Sequence, residues 1–135
     1  NRGGLITGFV GHFIYVMATI VDISSATYPK SYNGRTIPYY KGQSLLPVFR
    51  GHDSARAAPL FWEWRTGRAA RSGNWKIVSS NSDEIGSNGD WELYDMSVDK
   101  TETHNLADEM PHVIKQLDLL YKDWWADLPM KSAGG

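Results

Sequence analysis

The stretch GRAARSGNWKIVSS, residues 67 to 80, decides the fold of this chain. Two strand-like segments flank Ser72, Gly73 and Asn74, residues that tolerate the positive φ angles of a short hairpin connection. The segments PLFWEW (59–64) and WELYDM (91–96) lie on either side and show strand-like alternation. The sequence therefore predicts an antiparallel meander of about four strands.

Helical patterns occur on both sides of the meander. Residues 111–128 begin with Pro111, which suits a first helical position. Apolar residues then recur at steps of three and four: Val113, Leu117, Leu120, Trp124 and Leu128. We expect this C-terminal helix to cover one side of the sheet. Residues 9–21, FVGHFIYVMATIV, are apolar around most of a helical wheel, which is typical of a buried helix.

Pro and Gly punctuate residues 24–51, which we interpret as an ordered connector with a short helical turn at Ser44–Phe49. The predicted fold class is therefore α+β. A small antiparallel β-sheet packs against a C-terminal amphipathic helix, and a buried helix and an irregular connector precede it.

Composition excludes several classes of function. The net charge of −1 gives no electrostatic basis for binding nucleic acid. The absence of cysteine excludes disulfides, thiolate zinc sites and cysteine nucleophiles within these 135 residues. The apolar run 5–21 is interrupted by Gly8, Gly11 and His12, which favours a buried helix over a membrane span. The first residue is Asn rather than Met, so we expect the sequence to begin within a longer protein.

Motifs for hydrolysis and metal binding are absent from the sequence. The four histidines form no H-E-x-x-H pattern, and no G-x-S-x-G elbow occurs. DMSVDKTETHNL (95–106) has Lys100 and Leu106 where a calcium loop requires Gly and Glu. We predict instead that Asp95 ends a strand, that Asp99 and Thr101 form local hydrogen bonds, and that Leu106 anchors the turn to the core.

A basic run occupies the centre of the meander: Arg65, Arg68, Arg71 and Lys76. Such residues can bind a sulfate, a phosphate or a carboxylate. Strand alternation, however, places Arg68 on one face and Arg71 on the other. A solvated hairpin is therefore favoured over an anion site. The salt-bridge partners expected for it are Glu63, Glu92 or Asp95.

Several blocks, taken in order, resemble the C-terminal part of a type I sulfatase. They are GHFIYVMATIVDIS, YNGRTIPYYKGQSLLPVFRG, LFWEW, GRAARSGNWKIVSS and WELYDMSVDKTETHNLADEMP, followed by the final helix. The chain is most similar to the bacterial arylsulfatase branch of the alkaline phosphatase-like superfamily. The resemblance implies that residues 1–50 end the large sulfatase domain and that residues 51–135 form a C-terminal subdomain. In that family the 67–80 hairpin is primarily structural.

Sulfatases of this family cleave sulfate esters with a formylglycine made within C-x-P-x-R or S-x-P-x-R, beside a calcium ion. Neither motif occurs in this sequence. The resemblance therefore implies a sulfuric ester hydrolase fragment that is inactive alone and has no catalytic or metal-binding residue. Calcium and formylglycine are expected in an N-terminal part. Substrate contact is the remaining expected role, for residues on or beside the loop that enters the meander: His52, Arg56, Trp62 and Arg65.

The partners that the resemblance implies are the remainder of the sulfatase chain and a sulfated carbohydrate or aryl sulfate. A periplasmic or secreted location is expected, because members of this branch are commonly exported. The helix at 9–21, without large-domain partners, is expected to make the isolated chain self-associate. Two alternatives stay open: a stand-alone binding or interaction module with an aromatic sheet face, and a complete small hydrolase.

Overall fold

The structure, a computed structural model, describes residues 8–52, 58–80 and 90–128. The chain divides into two compact units, Asn1–Arg56 and Ala57–Gly135. The first contains α1 (Tyr15–Ser24), the hairpin of β1 (Ser31–Tyr32) and β2 (Arg35–Thr36), and α2 (Leu46–Phe49). The second contains β3 (Leu60–Trp64), β4 (Gly67–Ser72), β5 (Trp75–Ser79), β6 (Glu92–Asp95) and α3 (Pro111–Ala126). The predicted boundary after residue 50 concerns domains of a longer protein and stays a prediction.

The sheet of the second unit pairs its strands in chain order, β3-β4-β5-β6, and every pair is antiparallel. The predicted meander is thereby confirmed, and α3 completes the α+β fold. Ser72 lies opposite Trp75 in the β4–β5 pair, and Gly73 in the connecting turn has a φ of 57°. Glycine adopts this left-handed conformation without steric penalty, so the turn can be tight.

Helix α3 packs on one face of the sheet and supplies half of its core. Ala70, Ile77 and Leu93 lie in register on β4, β5 and β6, and all three are buried. They form one cluster with residues spaced by four along α3: Val113, Leu117 and Tyr121. Leu120, predicted for this face, is 38% exposed. The buried residues follow the ridge of positions spaced by four along α3, which passes through Val113, Leu117 and Tyr121, and Leu120 lies beside that ridge.

Aromatic side chains enlarge this core. The Phe61 ring of β3 stacks on Trp124 with 5.1 Å between centroids and 12° between planes. Trp91, just before β6, meets Tyr121 edge-on at 5.4 Å. Trp75 is partly buried against the same cluster. Large flat rings thus carry much of the packing between the sheet and α3.

The Asp99 carboxylate organises the loop that joins β6 to α3. It accepts hydrogen bonds from the backbone N–H groups of Thr103 and His104, each at 2.9 Å. The Leu106 N–H donates to the Leu93 carbonyl at 2.8 Å, and Leu106 packs against the core. These contacts confirm the predicted roles of Asp99 and Leu106. The backbone bond from His104 is the largest cause that holds the pKa of Asp99 below its ordinary value of 3.8.

Helix α1 begins at Tyr15, not at residue 9 as predicted, and extends to Ser24. His12 explains the difference. Its Nδ1 accepts a hydrogen bond from the Ile14 N–H at 3.2 Å, and its carbonyl accepts one from the Tyr15 N–H at 3.0 Å. These bonds form a separate turn ahead of the helix, and Gly11 before it has low helix propensity.

Within the described chain α1 is buried along one side, at Tyr15, Ala18 and Thr19. Its other side carries large apolar side chains that are substantially exposed: Val16, Met17, Ile20 and Ile23, at 45%, 47%, 55% and 58%. Steps of three and four place these residues on one stripe. Across residues 8–52, 58–80 and 90–128, no helix has both the length and the apolar character that crossing a membrane requires.

The connector is ordered by its contacts with α1, as predicted. The Leu45 N–H donates to Thr19 Oγ1 at 2.9 Å, while the Thr19 hydroxyl donates to the Tyr15 carbonyl at 2.7 Å. A Cβ on Gly42 would lie 2.0 Å from the Ile14 carbonyl oxygen. Only glycine therefore permits this approach of the connector to the start of α1. The predicted helical turn at 44–49 is present as α2.

Truncation of Leu117 is expected to destabilise the second unit strongly. This side chain is 4% exposed within the cluster between α3 and the sheet. Leu117→Ala should lower the free energy of unfolding by about 2 to 5 kcal/mol, because it removes apolar contacts and leaves a cavity. Leu119 is the matched control, since it is 61% exposed on the same helix. Leu119→Ala should change the free energy by less than about 0.5 kcal/mol in urea titrations, and equal effects would contradict the assigned core.

The Asp99 loop is expected to give stability a specific pH dependence. Because the folded state lowers the pKa of Asp99, its contribution is fully present above the ordinary value of 3.8. The contribution is lost as the pH falls through the folded-state pKa. Asp99→Asn should therefore have a lower melting temperature than the wild type at neutral pH, and the gap should close in acid. Asp108→Asn, at an exposed acid outside this hydrogen-bond network, is the control. A gap that does not vary with pH would contradict this role.

Candidate functional site

The four residues predicted to contact substrate have different settings. His52 is exposed in the first unit, and its backbone N–H donates to the Pro47 carbonyl at 2.9 Å. Arg56 lies outside the described residues. Trp62 is half-buried in β3, and Arg65 is exposed in the turn after it, with a φ of 54°. The structure thus brings Trp62 and Arg65 into one hairpin, and their contact with a substrate stays a prediction.

The sheet face opposite α3, called the outer face here, is rich in aromatic side chains. Strand alternation places Trp62, Trp64, Lys76 and Tyr94 on it. Trp64 is 77% exposed, whereas Trp62 lies with its ring centroid 6.0 Å from Lys76 Nζ. An exposed indole beside a half-buried one can stack against a planar or ring-shaped partner. Leu60, Ala69 and Tyr94 of the same face are buried, so the binding surface that it offers is limited to the part around Trp62 and Trp64.

The charge of Lys76 on this face is neutralised. Its Nζ lies 2.5 Å from Glu102 Oε1, and the two side chains are only 22% and 29% exposed. This partner is none of the three acids predicted for the basic run. Glu102 is 26 positions away in the sequence, so no local pattern indicates the pair. On the neighbouring strand, burial and the hydrogen bond to Glu92 raise the pKa of Tyr94, which keeps its hydroxyl protonated.

The prediction of a solvated hairpin is wrong for Arg68. Arg68 is 4% exposed and lies on the α3 side of β4. Its guanidinium carbon is 4.4 Å from the Trp91 ring centroid and 5.9 Å from that of Tyr121. Burial lowers the pKa of Arg68, and the carboxylates of Asp118 and Glu63 oppose that shift. Arg68 thus joins the sheet to α3 by cation–π contact.

Asp118 of α3 completes this buried polar group. It accepts a hydrogen bond from Trp91 Nε1 at 2.9 Å and pairs with Lys122 at 2.7 Å. Desolvation raises the pKa of Glu63, and the nearby Arg68 lowers it. Asp118 was not among the residues predicted for a site. Its position directly after the core residue Leu117 on an amphipathic helix indicates that it lies near the buried face.

The basic run does not converge on one point. Arg68 is buried beneath α3, Lys76 pairs with Glu102, and Arg71 Nε donates to the Gly73 carbonyl at 3.2 Å. Arg65 is held in the β3–β4 turn. The division of the basic groups between the two faces of the sheet is confirmed, and the preference against an anion site stays a prediction.

The groups that sulfatases use for catalysis do not fit this segment. No set of three or more His, Cys, Asp or Glu suited to a metal ion occurs within the described ranges. The sequence contains no cysteine and no S-x-P-x-R motif that could give a formylglycine. The described side chains can stack on a ring, pair charges and form hydrogen bonds.

One curated protein is similar to this chain in sequence. The chain is 30% identical over 105 residues to an uncharacterized sulfatase of Schizosaccharomyces pombe. The match covers 76% of this chain and 19% of that protein, so the chain spans about a fifth of the relative's length. No family model matches the chain.

Solved structures with a similar fold point the same way. One, BT33336S-sulf, comes from work on glycosaminoglycan metabolism by Bacteroides thetaiotaomicron. It has a TM-score of 0.58 and 22% identity, over 81% of this chain and 24% of that one. Another, BT4656, was solved with its substrate D-glucosamine-2-N,6-O-disulfate. It has a TM-score of 0.52 and 21% identity, over 78% of this chain and 22% of that one.

These matches agree with the arrangement of the second unit, a four-stranded antiparallel sheet covered by a C-terminal helix. Because the solved structures are less than 25% identical to this chain, they support the fold alone. The fission yeast relative supports the similarity to sulfatases in sequence. The sequence blocks that resemble a type I sulfatase include every strand of that sheet. The chain is therefore a sulfatase-like segment with the architecture of a sulfatase C-terminal part.

Proposed function

We propose that this chain acts as the supporting C-terminal part of a sulfuric ester hydrolase. The observation that carries the proposal is the 30% identity to a sulfatase over 105 residues, which are 76% of this chain. The tight core between α3 and the sheet suits a structural role, because it is built from buried apolar and aromatic side chains. The reaction is the hydrolysis of a sulfate ester.

In this proposal, the formylglycine and the calcium ion belong to another part of the polypeptide. The exposed apolar stripe of α1 supports the need for such a partner, because isolated soluble proteins rarely expose a contiguous apolar surface. The chain alone is then inactive. An exported, periplasmic or secreted location follows from the same family resemblance.

The segment also borders the substrate pocket in this proposal, through His52, Arg56, Trp62 and Arg65. Arg65 and His52 are exposed donors, and Trp62 lies on the same β-hairpin as Arg65. Donors of this kind suit the sulfate group, and an indole suits the ring of a sulfated carbohydrate or aryl sulfate.

A second candidate function is a binding or interaction module that uses the outer face. The 77% exposure of Trp64 on the same face as Trp62 favours it. A sulfate-free sugar or protein ligand bound by the isolated chain through Trp64 would support this alternative, and would not require the rest of a sulfatase.

The kinetic test uses the full-length protein that contains this segment. Arg65→Ala and His52→Ala should each raise KM for a chromogenic aryl sulfate by about tenfold, with kcat little changed, because a charged or polar hydrogen bond to substrate is lost. Arg35→Ala is the control, since Arg35 is an exposed arginine on the separate β1–β2 hairpin. Unchanged KM in both variants would remove the substrate contact. Turnover by the 135-residue chain alone would contradict its supporting role.

The isolated chain is expected to self-associate through the exposed stripe of α1. Light scattering should give a mass above that of one chain, and Ile20→Glu with Ile23→Glu should restore the monomer by placing charges on the stripe. Val98→Glu is the control, because Val98 is 84% exposed but lies in the other unit. A monomeric wild type at high concentration would contradict the expectation.

A further inference from the structure

A cleft in the first unit is separate from the residues assigned above. It is an open cleft with a volume of about 480 Å³ between the C-terminal half of α1 and connector residues 40–44. The lining that matters here consists of Ala18, Asp22, Ser25, Tyr40, Gly42 and Ser44. This volume is within the usual range of small-molecule sites, and the lining combines an aromatic ring with a few polar groups.

The walls of the cleft are held in place by specific backbone contacts. Gly42 fits closely against the first turn of α1, because a Cβ there would lie 2.0 Å from the Ile14 carbonyl oxygen. The Leu45 N–H, just after the cleft-lining Ser44, bonds to Thr19 Oγ1 at 2.9 Å. Ser25 ends α1 in a left-handed conformation, with its N–H bonded to the Asp22 carbonyl at 3.2 Å. The cleft is therefore preorganised on both sides.

One tyrosine ring, that of Tyr40, lines this cleft. The Tyr39 ring stacks on Tyr40 at 4.3 Å with 26° between planes, and its hydroxyl donates to that of Tyr40 at 3.0 Å. Tyr28 meets Tyr40 edge-on at 5.0 Å. These two tyrosines hold the Tyr40 ring in place beside the cleft. The face of Tyr40 that Tyr39 does not cover can stack against the C–H face of a sugar ring or attract a cation.

The charge of the cleft favours a positive group. Asp22 is the one ionisable acid in its lining, and no basic side chain lines the described part of the cleft. Ser25 caps the C-terminus of α1, where the helix dipole is negative, and the last turn has no basic residue. The hydrogen bond with Tyr39 is the main cause that raises the pKa of Tyr40, and the charge of Asp22 adds to it. The Asp22 carboxylate and the Tyr40 ring thus line the same cleft.

We propose that this cleft binds an amino sugar with a free, protonated amine. The sugar ring stacks on Tyr40, and its ammonium group faces the Asp22 carboxylate. The hydroxyls of Ser25 and Ser44 bond to the sugar hydroxyls. The site is independent of sulfate ester hydrolysis, because it disfavours anionic groups and has none of the donors assigned to the substrate pocket.

Titration of the full chain with D-glucosamine tests the charge requirement. Saturation-transfer NMR and calorimetry near pH 6.5, where the ligand amine is protonated, should give a dissociation constant of about 1 mM. D-glucose and N-acetyl-D-glucosamine lack the cation and should bind about tenfold or more weakly. Glucosamine binding that is absent, or no tighter than binding of N-acetylglucosamine, would overturn the proposal.

Two variants place the binding in this cleft. Asp22→Asn keeps the size of the side chain and should weaken glucosamine binding about tenfold, because it removes the carboxylate charge. Tyr40→Ala removes the aromatic ring that lines the cleft and should weaken binding of glucosamine several-fold. The matched controls are Asp108→Asn, and Tyr32→Ala at a tyrosine that is 69% exposed on β1. Controls should bind like the wild type, and full binding by Asp22→Asn would overturn the assignment.

Discussion

The packing of α3 against the sheet is the interaction on which the second unit depends. Ala70, Ile77 and Leu93 lie side by side in one row across three neighbouring strands. Helix α3 covers that row with side chains spaced by four positions. Without this cover the sheet would expose its buried face to water, and a small sheet is marginal alone. The aromatic contacts and the Arg68 cluster surround the same row, so they stabilise an arrangement that apolar burial establishes.

The strands and α3 were predictable because their signals are local. Alternation over a few residues, Gly73 in a tight turn and Pro111 at a helix start each depend on neighbours in sequence. The start of α1 was not predictable from apolar periodicity, because one side-chain bond from His12 sets a turn there. The burial of Arg68 escaped prediction for another reason: alternation tells which residues share a face, but not which face a helix will cover.

At the candidate sites, too, the contacts that the sequence did not predict are those between residues distant along the chain. Lys76 is paired across 26 positions with Glu102, and Asp118 bonds across 27 positions to Trp91. Contacts over such distances follow from tertiary packing, which one sequence does not specify. The resemblance to sulfatases identified the architecture without any of these pairs. The sequence showed the tyrosines of the connector only as adjacent residues, Tyr39 and Tyr40. The structure shows that their rings stack and that Tyr40 lines the cleft.

The strand order of the sheet has a consequence for how the chain acquires its structure. Since β3, β4, β5 and β6 are neighbours in space as well as in sequence, each pairing brings together segments that are close along the backbone. Such a topology has low contact order and loses little loop entropy at each step, so rapid collapse is expected. The hairpins of the second unit can thus form from local contacts, while the sheet becomes stable only when α3 covers its buried face.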